Sequence, residues 1–274
     1  MKYKIVVDSS SDLRGDYIKD KDIGFEVVPL SINVGEDIFI DDDNVNVDEM
    51  LKAMHSSKVK ATSACPSSEY FKDAYKDAEN VICITMTSKL SGTYNAAYLG
   101  SNDCDCKVHV VDSKSTGGCL RLLVDKTYEL MKQGLDFEKL CYELEKYKES
   151  LNLFFVLDTF ENLVKNGRMS KLTAFVASAL YIKPLCEAKE GVIEIYEKPR
   201  TMKGALTRLV DSIEKKCDDT ENRKCIIGHC KNEESAKFVK QEIEKKYKFK
   251  EVIISEMRGL CSFYALENGV IVSF

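Results

Sequence analysis

The sequence predicts an α/β protein in two parts: an N-terminal, mostly parallel sheet with flanking helices over residues 1–150, and a C-terminal mixed α/β domain over 151–274. Three observations point there. In the first half, near-continuous runs of Val and Ile alternate with stretches of helical apolar spacing, the pattern of parallel strands covered on both faces. In the second half, Val192-Ile193-Glu194-Ile195-Tyr196 alternates apolar and polar residues behind a Lys189-Glu190-Gly191 turn, which marks an antiparallel hairpin. No Gly/Ser/Pro-rich linker separates the halves, so they are expected to pack closely across a boundary near residue 150.

In chain order, the first strand is 3–7 (Tyr3-Lys4-Ile5-Val6-Val7) and the second an apolar run over 25–34. Helices follow at 47–57 and 67–76, the latter with Ser67 or Ser68 as cap and Glu69 in its first turn. Strand 81–85, helix 93–99 and strand 108–111 continue the alternation. A long helix over 117–133 carries Leu120, Leu123, Val124, Thr127 and Leu130 on one face, with Asp125, Lys126 and Lys132 toward water. Gly134 is a plausible stop for it, and helix 136–149 closes the first half. The run 151–157 reads as a buried strand, with short helices on either side of Lys165-Asn166-Gly167-Arg168 and the hairpin within 185–196. Helix 203–216 has Leu206, Leu209, Val210 and Ile213 on one face. Strand 224–228, helix 233–246 with Ala236, Val239 and Ile243 as its apolar stripe, strand 251–255 and strand 270–274 complete the chain.

With 274 residues, 44% hydrophobic and 31% charged, the composition is that of an ordinary globular protein. The net charge of -5 is mixed along the chain, with no Lys/Arg stripe to suit nucleic acid. No apolar run approaches the roughly 20 residues of a membrane helix and no signal-peptide core precedes Asp8, so a cytoplasmic protein is expected. The eleven scattered cysteines then read as mostly small core hydrophobes.

Function is suggested by short hydroxyl- and glycine-bearing segments placed where strands should end, since loops at the carboxyl ends of parallel strands converge on ligands. Asp8-Ser9-Ser10-Ser11-Asp12 suits either an anion-binding turn or a helix cap. Ser91-Gly92-Thr93 opens a helix, where free N–H groups and hydroxyls suit a carboxylate and Gly92 lets a ligand approach the backbone. Thr62 and Ser63 lie upstream of the next helix cap and are freer to touch a ligand. Asp112-Ser113 is followed by Gly117-Gly118. Arg168 and Arg200 offer paired donors for a phosphate or a partner's carboxylate, and ordinary surface roles fit them equally.

Enzymatic and metal signatures are thin. His55, His109 and His229 have no metal-ligand spacing, and Cys104-Asp105-Cys106 lacks a second pair. Phosphate-loop, dinucleotide and nucleophile-elbow patterns are missing. His109, inside a strand, reads as a hydrogen-bonded structural residue.

Taken together, these segments resemble the DegV family, whose characterised members are bacterial fatty-acid-binding proteins. Asp8-Ser9-Ser10-Ser11-Asp12-Leu13 is similar to its opening motif, and Val28-Pro29-Leu30 and Thr62-Ser63-x-x-Pro66-Ser67 to the next two. Ser88-Lys89-Leu90-Ser91-Gly92-Thr93-Tyr94 matches the most recognisable one. Asp158-Thr159, Arg168 with Ser170, Ile182-Lys183-Pro184 and Arg200-x-x-Lys203-x-Ala205 follow in order, so the match runs from about residue 5 to 230.

The resemblance implies a two-domain DegV-like fold binding a fatty acid, with the acyl chain enclosed by the second domain. It implies a carrier, not an enzyme, that presents its ligand to a separate fatty-acid kinase. No cofactor, metal, nucleic acid or stable membrane insertion is implied. By correspondence Thr62, Ser63, Ser91, Gly92 and Thr93 fall at the head group, and Arg168 and Arg200 at the partner or the acyl phosphate, outside the hydroxyl cluster. The family commonly ends in a His-x-Gly-Pro-Gly loop; here Phe263-Tyr264-Ala265-Leu266 stands instead, and aligning the last strands puts Tyr264 at the histidine's place. The alternatives are an enzyme acting on a small carboxylate or phosphate, with Asp8, Asp112 or His109 at its centre, and a binding module for a non-lipid ligand.

Overall fold

The computed structural model describes residues 1–170 and 182–274. Strands β1 (Tyr3–Asp8), β2 (Ile23–Val28), β6 (Asn80–Thr85) and β7 (Lys107–Asp112) form a parallel sheet in the order β2-β1-β6-β7. Side chains alternate across a strand, and here the alternation feeds two cores. Ile5, Val7, Ile82 and Ile84 face helices α4 (Gly118–Lys132) and α5 (Phe137–Lys148) through Leu120, Leu123, Leu140 and Leu144. Val6, Val81 and Cys83 face α2 (Ser68–Ala74) and α3 (Thr93–Asn102) through Phe71, Ala74, Tyr75 and Ala97. The strands are therefore apolar at successive positions because both faces are buried.

The run expected as one strand over 25–34 is two strands in different sheets. Pro29, which has no N–H for a ladder, follows β2, and β3 (Ser31–Val34) joins β4 (Asp37–Ile40) and β5 (Thr62–Ala64) in an antiparallel sheet ordered β4-β3-β5. The intervening helix α1 is Val47–Ser56.

The second half holds a six-stranded mixed sheet, β10-β9-β8-β13-β11-β12, from β8 (Leu153–Val156), β9 (Leu185–Lys189), β10 (Val192–Glu197), β11 (Lys224–His229), β12 (Glu251–Glu256) and β13 (Val270–Ser273). Pairing is antiparallel except between β11 and β12, and β9–β10 is the expected hairpin. One face packs on α7 (Met202–Asp211) and α8 (Glu233–Lys246) through Leu206, Leu209, Val239 and Ile243. The helix expected to reach residue 216 ends at Asp211, and a short 3₁₀ turn, Ile213–Lys215, continues it. The other face carries Leu153, Phe155 and Leu157 and packs against α9 (Gly259–Ala265), a helix not expected from the sequence.

Helix α6 (Glu161–Lys165) is the first of the two short helices expected around residues 165–168. The place of the second falls on 171–181, outside the described residues. Among the described residues no helix is long and apolar enough to cross a membrane.

Candidate functional site

An apolar cavity of about 90 Å³ lies where the carboxyl ends of the parallel strands meet the inner face of the mixed sheet. Leu153, Phe155, Leu157, Ala188, Ile193 and Ile271 supply the sheet wall. Met86, Thr87, Leu90 and Ser91 come from the loop after β6, Ser115 and Thr116 from the loop after β7, and Leu260, Cys261 and Tyr264 from α9.

The polar groups gather in one region of this wall. Ser63 Oγ and Tyr264 Oη are hydrogen-bonded at 2.9 Å, joining residues 201 positions apart. The guanidinium of Arg168 lies 6.0 Å from the centroid of the Tyr264 ring, a cation–π arrangement. Its Nε donates to Leu90 O at 3.0 Å and Nη1 donates to Asn166 O. Gly167 takes φ +72, which turns the chain so that Arg168 reaches inward. Asn166 and Asn162 steady this corner by donating to Ala61 O and Phe263 O respectively.

The expected head-group residues divide into two rows. Ser63, Ser91 and Tyr264 line the cavity, whereas Thr62, Gly92 and Thr93 do not. Thr62 and Ser63 are successive residues of β5, so their side chains point to opposite faces. Thr93 is fully buried and its hydroxyl meets Ser91 Oγ at 2.8 Å, orienting the serine from behind. Gly92 sits at the α3 cap, and a Cβ there would come within 3.3 Å of Cys65 Sγ. Arg168 was expected outside the hydroxyl cluster and is instead part of the cavity wall beside Tyr264, because the α6 turn folds it back. Arg200 is exposed in the loop before α7 and stays outside the cavity.

Ser9–Ser11 form a 3₁₀ turn capped by Asp8, and the two flanking carboxylates, Asp8 and Asp12, are spent on the fold. Asp8 accepts from Ser10 N at 2.9 Å and Met86 N at 2.6 Å. Asp12 accepts from Arg258 N at 2.7 Å. Asp41 accepts from Gly259 N at 2.8 Å and Leu260 N at 2.9 Å, capping α9 and thereby setting the helix that carries Tyr264. These carboxyls are buried; burial pushes Asp8 up to about 6 and Asp12 up to about 7, and raises Asp41 as well. Asp112 Oδ1 accepts from Ser88 N at 3.1 Å and Lys114 N at 3.0 Å, while His109 pairs with Glu145 at 3.0 Å. None of Asp8, Asp112 and His109 lines the cavity.

Sequence reasoning missed Thr87, Ser115, Thr116 and Cys261. The signal available for Thr87 was its place beside the Ser88–Thr93 segment, at a strand end. Thr87 Oγ1 donates to Gly191 O at 3.0 Å, docking the β9–β10 turn against the loop after β6. Gly191 has φ +83 and a Cβ there would stand 2.4 Å from that hydroxyl, so only glycine fits this turn. Among the described residues no group of three His, Cys, Asp or Glu side chains is arranged to hold a metal.

The arrangement can solvate a carboxylate at the polar corner while an apolar chain lies along the sheet wall. Comparisons with known proteins agree with that chemistry. The model of the DegV family, described as uncharacterised proteins, matches residues 2–273. A DegV domain-containing protein of Streptococcus pyogenes serotype M1 is 37% identical over 280 residues, covering 100% of this chain and 99% of the relative. Among solved structures, the Streptococcus pneumoniae Fatty Acid Kinase (Fak) B3 protein loaded with linoleic acid aligns with TM-score 0.94 and 34% identity, over 100% of this chain and 99% of that one. A DegV family protein of Ruminococcus gnavus, refined with vaccenic acid, aligns with TM-score 0.92 and 32% identity over 99% of each chain. One from Eubacterium eligens, loaded with heptadecanoic acid, aligns with TM-score 0.90 and 30% identity, over 99% of this chain and 98% of that one.

Proposed function

Since this chain belongs to the DegV family, we propose that it is a fatty-acid-binding carrier that presents the carboxylate of its ligand to a separate kinase. The observation that carries the reading is the division of the cavity into an apolar sheet wall and one polar corner. Each methylene removed from water contributes roughly 0.8 kcal/mol, so a chain of about sixteen carbons gains on the order of 10 kcal/mol before ordering costs. The carboxylate needs donors to offset its desolvation. Ser63, Ser91, Tyr264 and Arg168 are the donors assigned to it, with Thr93, Gly92 and Thr62 supporting the loops behind.

The space of about 90 Å³ is smaller than the ~150 Å³ that holds a benzene ring. Seating a long chain therefore requires the lining side chains to part. Residues 1–150 and 151–274 act in this reading as two domains, the second enclosing the acyl chain; its support is the run of lining residues on the mixed sheet. The kinase partner is supported by the relative named as a Fatty Acid Kinase protein. Arg200, exposed beside α7, is assigned to that partner. Eleven free thiols suit a reducing compartment, which supports a cytoplasmic carrier. No catalytic residue is assigned: the carboxylates and the imidazole that an enzyme reading would use are engaged in structural hydrogen bonds.

Organic extraction of gently purified protein, followed by mass spectrometry, tests the reading. A fatty acid at one per chain supports it. Empty protein that turns over a phosphorylated or carboxylated metabolite without a partner overturns it.

A further inference from the structure

Away from the cavity, the connection from α3 to β7 carries Cys104-Asp105-Cys106. In an extended strand, residues two apart share a face but stand well separated; here the chain bends at Asp105 and Cys106 just before β7 begins. The bend brings Cys106 Sγ to 3.2 Å from Cys104 Sγ. Both thiols are partly exposed and rest against the core under α2 and α3. Cys104 Sγ also points at Ser101 O (3.2 Å) and Cys106 Sγ at Tyr75 O (3.5 Å), so α2, α3 and the start of β7 converge on the pair. Neither belongs to the fatty-acid site.

The geometry points to Cys104 and Cys106 as a reversible thiol–disulfide site, oxidised by a peroxide. A metal reading fails for want of a third ligand among the described residues. Bonding requires the sulfurs to close from 3.2 Å to about 2 Å, a short movement within one bend. Cys104 Sγ attacks one peroxide oxygen, the O–O bond breaks, and water leaves with the thiol proton, giving a sulfenic acid. Cys106 Sγ then attacks the sulfenic sulfur, the S–O bond breaks, and the Cys106 proton departs with that oxygen as a second water. Two thiols are oxidised and one peroxide is reduced. Burial, followed by the adjacent Cys104, pushes Cys106 up to about 12, which disfavours its thiolate and makes its attack on the sulfenic sulfur the slow step. Cys83, Cys119 and Cys186 are buried, out of reach of a peroxide, whereas Cys104 and Cys106 are partly exposed. Closing so small a ring removes little entropy from the unfolded chain, and small strained disulfides are readily reduced, so the site is reversible.

The test uses the full chain, reduced, desalted and exposed to hydrogen peroxide at equimolar concentration without denaturant. Intact mass should fall by two hydrogen atoms, the link should map to the peptide holding Cys104 and Cys106, and dithiothreitol should restore both thiols to alkylation. Cys104→Ser and Cys106→Ser, each checked for an unchanged circular dichroism spectrum, should lose no hydrogens. If both thiols of the native chain still alkylate fully after Cys65, an exposed free thiol, has been oxidised, or if the link maps elsewhere, the proposal is overturned.

Discussion

The Ser63–Tyr264 hydrogen bond is the smallest unit of the proposed head-group corner. Either hydroxyl can be removed without changing the shape of the wall, as Ser63→Ala or Tyr264→Phe. Each should weaken binding of a fluorescent fatty acid by about 0.5–1.5 kcal/mol, with the double variant losing less than the sum because the partners share one bond. Full additivity in titrations of delipidated protein would show that the two groups act separately. Arg168 offers a larger effect. Its guanidinium lies beside the phenol ring, so Arg168→Ala should cost about 1.5–3 kcal/mol of affinity, the range for hydrogen bonds to charged groups. An unchanged Kd alongside lost phosphorylation by a partner kinase would return Arg168 to partner contact alone. The sequence carried Arg168 as a basic residue after a glycine turn. That turn's inward direction was not legible, since it depends on where α6 sits against β5 and α9.

At the scale of elements, α9 shows how a short helix escapes a sequence reading. It spans seven residues, has no acidic residue in its first turn, and takes its caps from Asp41, more than 200 positions away. Long periodic helices such as 233–246 declare themselves by their apolar stripe; α9 is held by remote carboxylates. Those carboxylates make stability depend on pH. Burial raises Asp12 from 3.8 to about 7 and Asp8 to about 6, so the folded chain binds these protons more tightly than the unfolded chain. Their contribution is complete below 3.8 and is lost as pH rises through about 6 to 7. Asp12→Asn keeps an oxygen to accept from Arg258 N but cannot ionise. It should therefore be more stable than the parent at pH 8 by on the order of 4 kcal/mol and close to it near pH 4, measured by urea unfolding. Parallel pH profiles for the two proteins would rule out Asp12 as the titrating group.

For the whole molecule, the cavity sits between two sheets, so a ligand that fills it should stabilise both. At a free concentration of ~100 Kd the gain is about 2.7 kcal/mol, a rise in Tm of several degrees. Calorimetry of delipidated protein with and without oleate checks this, and an unchanged Tm at saturation would mean the chain binds outside the core. What the sequence determined by itself was local: the alternation of strands and helices, the hairpin at 189–191, and the hydroxyl-bearing segments at strand ends. Each follows from periodicity or turn chemistry within a dozen residues. Tertiary structure alone decided which hydroxyls look into the cavity. Ser63 and Thr62 differ only in the face of β5 they occupy, and Thr87 reaches Gly191 across 104 positions. Strand register and docking between distant elements set these outcomes, and neither leaves a local mark in the order of residues.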